Sequence, residues 1–284
     1  MNVLSLFNGM NTGRQALENV GIKVNKYYSS EIKPYAIELT QHHFPDTIQV
    51  GDVTKWKEWD IDWKSIDLVL SGSPCQDLSA AGKRAGINGK KSSLFFTFVD
   101  ILNHIKELNH KVLFLQENVG SASKLDVGIM SRALGVYPVR INSSLVTAQL
   151  RDRYYWSNIR TKEDGMFGDI ITDIPEPKDK GILLKNILTS GEVDINKHTC
   201  LNTGSGATEK ASQIYLTHRN ETTGMITLIK ENDIFRTCNK VEMCRLQGFS
   251  DDYCDILNTK KAGSLLGDGW TLPIIEHIFQ FIKN

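Results

Sequence analysis

Long apolar runs are missing from this 284-residue chain. None approaches the roughly 18 residues that a bilayer-spanning helix requires, and Met1-Asn2-Val3-Leu4 lacks the basic segment and long apolar stretch of a secretory leader. A protein without a membrane partner is expected, cytoplasmic, and nucleoid-associated if the source is bacterial or phage. Cysteine is sparse: Cys75, Cys200, Cys238, Cys244 and Cys254 make an odd set, and no two have the spacing of a zinc or thioredoxin-type site. Free thiols and no metal follow. An excess of one charge is absent as well, since Lys+Arg and Asp+Glu each total 33. Nothing here resembles a protein held to nucleic acid by net charge, so any such contact must use local patches. Internal repeats and low-complexity tracts are also lacking.

What is present is an alternation of short apolar runs with amphipathic stretches, the pattern of a doubly wound α/β sheet. Strands are expected at residues 3–7, 24–30, 47–50, 66–70, 112–115 and 154–159, and helices at 14–20, 34–43, 94–108, 240–247 and 270–282. Pro34 suits the first turn of its helix. Composition shifts beyond residue 162: Pro175 and Pro177 punctuate a polar stretch, and 198–224 is rich in Thr, Gly, Ser, Asn and His. The expected organisation is a catalytic and cofactor-binding domain at 1–162, a small lobe at 163–235, and a return to the first domain at 236–284.

Chemically distinctive clusters fall just beyond strand ends, the edge at which open α/β sheets bind ligands. A Gly-containing turn, Asn8-Gly9-Met10-Asn11-Thr12-Gly13, follows the first strand, and Glu31 stands 22 positions after Gly9 at the end of the second. A carboxylate there suits the ribose hydroxyls of a nucleoside. The spacing fits adenosylmethionine or a dinucleotide, but the turn lacks the full G-x-G-x-x-G that seats a pyrophosphate. Phe7 offers a ring face to adenine, and Asp52 an acceptor for its amino group. Alternatively, Phe7 is core and Asp52 a turn former.

Cys75 follows Pro74, which fixes the backbone where the fourth strand leaves the sheet. A thiolate in that turn can attack an electrophilic carbon; the bland alternative is a small buried hydrophobe. Glu117 ends the fifth strand, beside the fourth in the usual order. In Gln149-Leu150-Arg151-Asp152-Arg153, alternate residues share one face if the run is extended, although an exposed salt-bridged strand would read the same way. Cytosine chemistry needs this set. Carbon 5 is too poor a nucleophile to accept a methyl group unaided, and addition of a thiolate at carbon 6 makes it an enamine. Glu117 suits proton sharing at N3 and Arg153 polarisation at O2, while Arg151 suits holding Cys75 or a phosphate. Carbon 6 is shielded in a stacked duplex, so the base must be extruded.

At this point the chain resembles the C5 cytosine DNA methyltransferases. Leu4-Ser5-Leu6-Phe7-Asn8-Gly9 resembles their cofactor motif, Gly72-Ser73-Pro74-Cys75-Gln76 their Pro-Cys motif, and Glu117-Asn118-Val119 and Gln149-x-Arg151-x-Arg153 the two that follow. Arg236-Thr237, Glu242 and Arg245-Leu246-Gln247-Gly248-Phe249 match the segment after the recognition region, and residues 267–275 the final cofactor motif. The resemblance covers residues 3–160 and 236–282, and its details are similar to the animal de novo subgroup and small phage or bacterial relatives.

It implies a Rossmann-like doubly wound mixed sheet of class I adenosylmethionine-dependent methyltransferases, with a small target-recognition lobe. It also implies S-adenosylmethionine as donor, S-adenosylhomocysteine as product, and double-stranded DNA as partner. No obligate protein partner is implied, and a monomer is expected. Cofactor contacts implied by the resemblance are Phe7, Gly9, Met10, Thr12, Glu31, Ile32, Asp52, Val53, Pro74, Leu94 and Trp270. Two departures stand out: Gly9-Met10-Asn11 replaces the Gly-x-Gly of most bacterial members, and Asp268 replaces an Asn near the donor's methionine portion.

For DNA, the loop at 82–91 sets Lys83, Arg84, Lys90 and Lys91 among three glycines, as a phosphate-closing loop requires. A solvated basic loop is the alternative. The resemblance places Gln76 and Ser79 near the extruded base or its gap. In the lobe, the stretches containing Thr203 and Gly204, and Arg219, Thr222 and Thr223, are suited to reading base edges and positioning phosphates, or are ordinary loops. Competing functions are a tRNA cytosine C5 methyltransferase and a non-catalytic DNA-binding homologue. The Pro-Cys-Gln-Asp-Leu-Ser run argues against the first, and the retained Cys75, Glu117 and arginines against the second.

Overall fold

The computed structural model describes residues 1–74, 94–165, 168–202, 204, 227–232 and 234–282. Seven strands form the principal sheet: β1 (Asn2–Leu6), β2 (Lys26–Ser30), β3 (Ile48–Gln49), β4 (Leu68–Ser71), β5 (Leu113–Val119), β6 (Val139–Asn142) and β7 (Asp152–Ser157). Their order is β3-β2-β1-β4-β5-β7-β6, with β5 and β7 antiparallel and the pairs among β3, β2, β1, β4 and β5 parallel. This is a Rossmann-like doubly wound mixed sheet. The chain winds outward from β1 through β2 to β3, then returns to place β4 on the other side of β1. The resulting switch point opens a crevice at the carboxyl ends of β1 and β4.

The strands read as continuous apolar runs because both faces are covered. Leu68, Val69 and Leu70 are each fully buried, and Trp156, Phe98, Phe95 and Phe114 fill the core beside α3 (Leu94–Leu108). Each such side chain contributes about 1.5–3 kcal/mol on burial. Close approach fixes α1 (Thr12–Asn19) on the sheet: a Cβ at Gly13 would overlap Leu70 Cδ1 and lie 3.2 Å from the Tyr27 hydroxyl. Helix α2 (Pro34–His43) connects β2 to β3, and α4 (Lys124–Leu134) connects β5 to β6. Ser123 caps α4 by accepting from Asp126 N at 3.1 Å, and Gly135 ends it at φ 73°. A hairpin of β8 (Thr161–Asp164) and β9 (Asp169–Thr172) follows β7.

The chain forms two compact units, one of residues 1–141, 152–176 and 276–284, the other of 142–151 and 177–275. The second holds the hairpin β10 (Ile229–Glu231) and β11 (Ile234–Arg236), with α5 (Lys240–Gln247) and α6 (Thr259–Asp268). The last helix, α7, is Leu272–Phe279. Helix α5 begins at a capping box in which Asn239 accepts from Glu242 N at 2.9 Å and Glu242 accepts from Asn239 N at 3.0 Å. The fully buried Glu242 carboxylate also takes Arg236 Nη1 at 2.7 Å and Thr189 N at 2.9 Å, so its charge is paired where water is absent. Among the described residues no helix is long and apolar enough to cross a membrane.

Candidate active site

Strand β1 delivers its chain into a turn of unusual backbone. Phe7, Gly9 and Asn11 have φ of 56°, 57° and 64°. Only glycine adopts that region without cost, and a bulky residue there stores about 1–3 kcal/mol of strain that its surroundings must hold. The surroundings are specific. Asn8 N donates to Ser30 O at 3.1 Å, Asn8 Nδ2 to Thr40 Oγ1 at 3.3 Å, and the Tyr27 hydroxyl to Asn8 Oδ1 at 3.2 Å.

The same turn is tied to Glu31. Gly9 N donates to Glu31 Oε2 at 2.8 Å, while Ile32 N and Lys33 N donate to Oε1 at 2.8 and 2.9 Å. Backbone amides from the ends of two strands thus orient one carboxylate, and each oxygen keeps acceptor capacity for hydroxyl donors. Asp52, beyond β3, accepts from Thr54 N and Thr54 Oγ1, both at 2.9 Å and both on Oδ1. Those bonds hold its carboxyl below the usual range, and Oδ2 remains for another donor.

Phe7 is half-buried, Met10, Thr12 and Val53 are buried, and Ile32 is exposed. Pro74 and Leu94 are half-buried. Asn11, with no exposed surface, has neither amide atom paired among the described residues. A buried amide left so costs about 1–3 kcal/mol per group, a mark of a turn not built for stability alone. A carboxylate held by backbone amides, an aromatic ring and a second carboxylate stand at successive strand ends, chemically suited to the hydroxyls, ring face and amino group of a nucleoside.

At the neighbouring edge, β4 and β5 run parallel with Ser71 opposite Gln116. Glu117 is therefore level with the exit of β4 toward Gly72-Ser73-Pro74. Across β5 lies β7, paired Glu117 to Tyr155 and Val119 to Arg153. Two residues of antiparallel offset leave Glu117 and Arg153 diagonal on one face. Arg153 Nε meets Glu117 Oε1 at 2.7 Å, with side chains 12% and 11% exposed, and Arg153 Nη1 donates to Asp152 O at 2.8 Å. Behind the carboxylate, the fully buried Gln116 sends Nε2 to Ser73 Oγ at 3.0 Å and to Glu117 O at 2.7 Å. Asn118 Nδ2 reaches the same hydroxyl at 3.4 Å. Gln116 and Ser73 carry no role in the sequence reading; their signal is a polar residue at the end of an apolar strand run.

The extended run begins only at Asp152, so Gln149 and Arg151 precede β7; both belong to the second unit, and their donors stay within it. Arg151, 2% exposed, donates through Nη1 to Leu201 O at 3.1 Å and through Nη2 to Gly267 O at 3.1 Å and Gly269 O at 2.7 Å. Its fork thereby holds the segment carrying Asp268 and Trp270. Asp268 is exposed at the C-terminus of α6, where the helix dipole disfavours a carboxylate, and Trp270 is half-buried. Gln149 Nε2 donates to Leu246 O at 2.7 Å and Gln247 Oε1 at 3.0 Å.

His198 supports the same strip, its N donating to Ala148 O at 2.7 Å and its carbonyl accepting from Leu150 N at 2.8 Å. Burial pushes its imidazole from 6.5 down to about 4. Between those values the unfolded chain binds the proton and the folded one does not. The stability present above pH 6.5 is therefore lost as pH falls toward 4, by about 3 kcal/mol in full. Urea unfolding of His198→Gln between about pH 7 and 4.5 should show a flatter acid loss than the parent chain; equal slopes would refute this.

Cys75, Gln76, Ser79, Lys83, Arg84, Lys90, Lys91, Thr203, Arg219, Thr222 and Thr223 lie outside the described residues. Gly204 is exposed, and its N donates to Asn202 Oδ1 at 2.8 Å.

A doubly wound mixed sheet, with an oriented carboxylate after β2 and a carboxylate on β5 paired to a guanidinium on β7, has the fold of a class I methyltransferase. The model of the C-5 cytosine-specific DNA methylase family matches residues 1–199, and the chain belongs to that family. Among curated relatives, the orphan methyltransferase M.SPRI of Bacillus phage SPR is 34% identical over 175 residues, 56% of this chain and 38% of the phage protein. The type II methyltransferase M.NgoBV of Neisseria gonorrhoeae is 32% identical, over 66% of this chain and 46% of that one. The chain thus spans less than half the length of these relatives. The type II methyltransferase M1.ScrFI of Lactococcus lactis subsp. cremoris is 27% identical over 98% of this chain and 77% of its own. In fold, the Dnmt2 methyltransferase of S. pombe has a TM-score of 0.68 at 15% identity, covering 99% of this chain and 98% of that chain. The Entamoeba histolytica methyltransferase EhMeth has a TM-score of 0.68 at 18% identity, covering 100% and 99%.

Proposed function

We propose that the protein methylates carbon 5 of cytosine in double-stranded DNA, with Cys75 as covalent nucleophile and S-adenosylmethionine as donor. The observation that carries this reading is the buried Glu117–Arg153 pair at 2.7 Å, beside the strand whose exit leads into Pro74-Cys75. The Cys75 thiolate adds to carbon 6 of an extruded cytosine, and the ring electron pair moves to carbon 5. Glu117 shares a proton with N3 while Arg153 donates to O2, so charge developing on the ring meets oriented partners in a site shielded from water. When bound, S-adenosylmethionine supplies an electrophilic methyl group and leaves as S-adenosylhomocysteine. A base drawn from solvent takes the carbon 5 proton, the C5–H electron pair re-forms the C5–C6 double bond, and the Cys75 thiolate leaves carbon 6.

Glu31, Asp52, Phe7, Gly9, Met10, Thr12, Ile32, Val53, Pro74, Leu94, Asp268 and Trp270 are the residues we assign to the donor. Gln76, Ser79, Lys83, Arg84, Lys90, Lys91, Thr203, Gly204, Arg219, Thr222 and Thr223 are assigned to DNA. The chain has the catalytic domain at 1–162 and 236–284 and the target-recognition lobe at 163–235 in this reading. Incubating the protein with methyl-tritiated donor and either genomic DNA of mixed sequence or total tRNA decides the acceptor. Label in DNA, recovered as 5-methylcytosine, is expected; label confined to tRNA, or none in either, would overturn the reading.

A further inference from the structure

The amide of Gln116 is out of place by the ordinary rules of a buried strand. Its residue has no exposed surface, yet its Oε1 has no partner among the described residues. A leucine of similar volume would fill the site without leaving an acceptor unpaired. What the amide does gain is a pair of bonds from one nitrogen, to Ser73 Oγ at 3.0 Å and to Glu117 O at 2.7 Å. The β4–β5 ladder ends at Ser71 and Gln116. Nε2 extends the lateral connection two residues beyond it, from the backbone of the carboxylate-bearing residue to Ser73, itself 4% exposed. Ser73 is followed directly by Pro74, whose ring fixes φ where the described strand exit ends.

We propose that Gln116 is a positioning residue that sets the exit of β4 relative to Glu117, and so the register between the nucleophile's turn and the carboxylate. It acts through Ser73 and touches no substrate. The inference rests on the methyltransferase reading above. Misplacement of reacting groups by about 1 Å costs about 100-fold in rate, whereas stability gains little from an amide with one unpaired atom.

The test compares the full chain with Gln116→Leu, Ser73→Ala and the double variant, measuring kcat, both KM values and thermal midpoint. Gln116→Leu is expected to lower kcat about 10- to 100-fold while KM for donor and DNA stays within about twofold. Its thermal midpoint should hold within about 3 °C or rise. Ser73→Ala, which also removes the acceptor of Asn118 Nδ2, should lower kcat at least as much, and the double variant no further than Ser73→Ala, because both remove the Gln116–Ser73 connection. Unchanged kcat in Gln116→Leu would overturn the proposal, as would a loss that follows the thermal midpoint or falls on KM. If Gln116→Leu does not fold, Ser73→Ala is judged by the same split. A parent chain that transfers no methyl group to DNA would refute the functional reading instead, so the two failures are distinguishable.

Discussion

Replacing Cys75 by alanine is expected to lower methyl transfer by about 10⁴-fold or more, and Glu117→Gln by about 10²- to 10³-fold. The two losses differ in kind. Without the thiol, carbon 5 never becomes an enamine, and no other side chain assigned to the site can replace the bond to carbon 6. With glutamine at 117, the shape of β5 and a polar contact to Arg153 survive, but the group can no longer share a proton with N3. Glu117→Ala is a poorer probe of chemistry. It strands the Arg153 guanidinium, 12% exposed, without its carboxylate, and breaking such a pair from one side costs about 3–5 kcal/mol. A duplex carrying 5-fluorocytosine separates the steps, since fluorine cannot leave as a proton does and the thiol adduct persists. Cys75→Ala should form no adduct, and Glu117→Gln should form it slowly. An alanine variant that still transfers methyl groups would eliminate the covalent route.

Much of this arrangement was legible before any fold was seen. The helices at 34–43, 94–108 and 240–247 are legible within the bounds observed: Pro34 marks the start of the first, the second has a sustained apolar face, and Gly248 stops the third. The crevice followed from the alternation of strand and helix, and Glu31 from its spacing to Gly9. Helix α4 is not among the expected helices, although Ser123 and Asp126 mark its start and Gly135 its end; Gly128 interrupts its apolar positions. Helix α6 is likewise not among the expected helices: Gly263 and Gly267 interrupt a buried side that also carries Ala262, Leu265 and Leu266.

The Glu117–Arg153 contact could not be read as a distance. It depends on β7 returning antiparallel beside β5, in a register that long-range packing decides. The same packing separates Arg151 from Arg153. Alternation in sequence suggested one shared face, but the backbone becomes a strand only at Asp152, so Arg151 donates to carbonyls of the second unit while Arg153 pairs within the first.

That separation gives Arg151 its own expected result. Arg151→Met keeps most of the side-chain length and packing but removes the donors to Leu201 O, Gly267 O and Gly269 O. Carbonyls buried without donors, together with the lost charge-assisted bonds, should destabilise the protein by about 3–5 kcal/mol, lowering the thermal midpoint by about 10 °C. Arg151→Lys should recover only part of this, since one ammonium cannot span acceptors that a planar fork reaches on two sides. The segment carrying Asp268 and Trp270 should loosen in both variants, which hydrogen exchange at residues 267–270 would report. Because Gly267 and Gly269 flank Asp268, the loosening should also weaken binding of S-adenosylhomocysteine more than it weakens binding of DNA. A midpoint and exchange pattern matching the parent would mean that the fork holds nothing that water cannot hold as well.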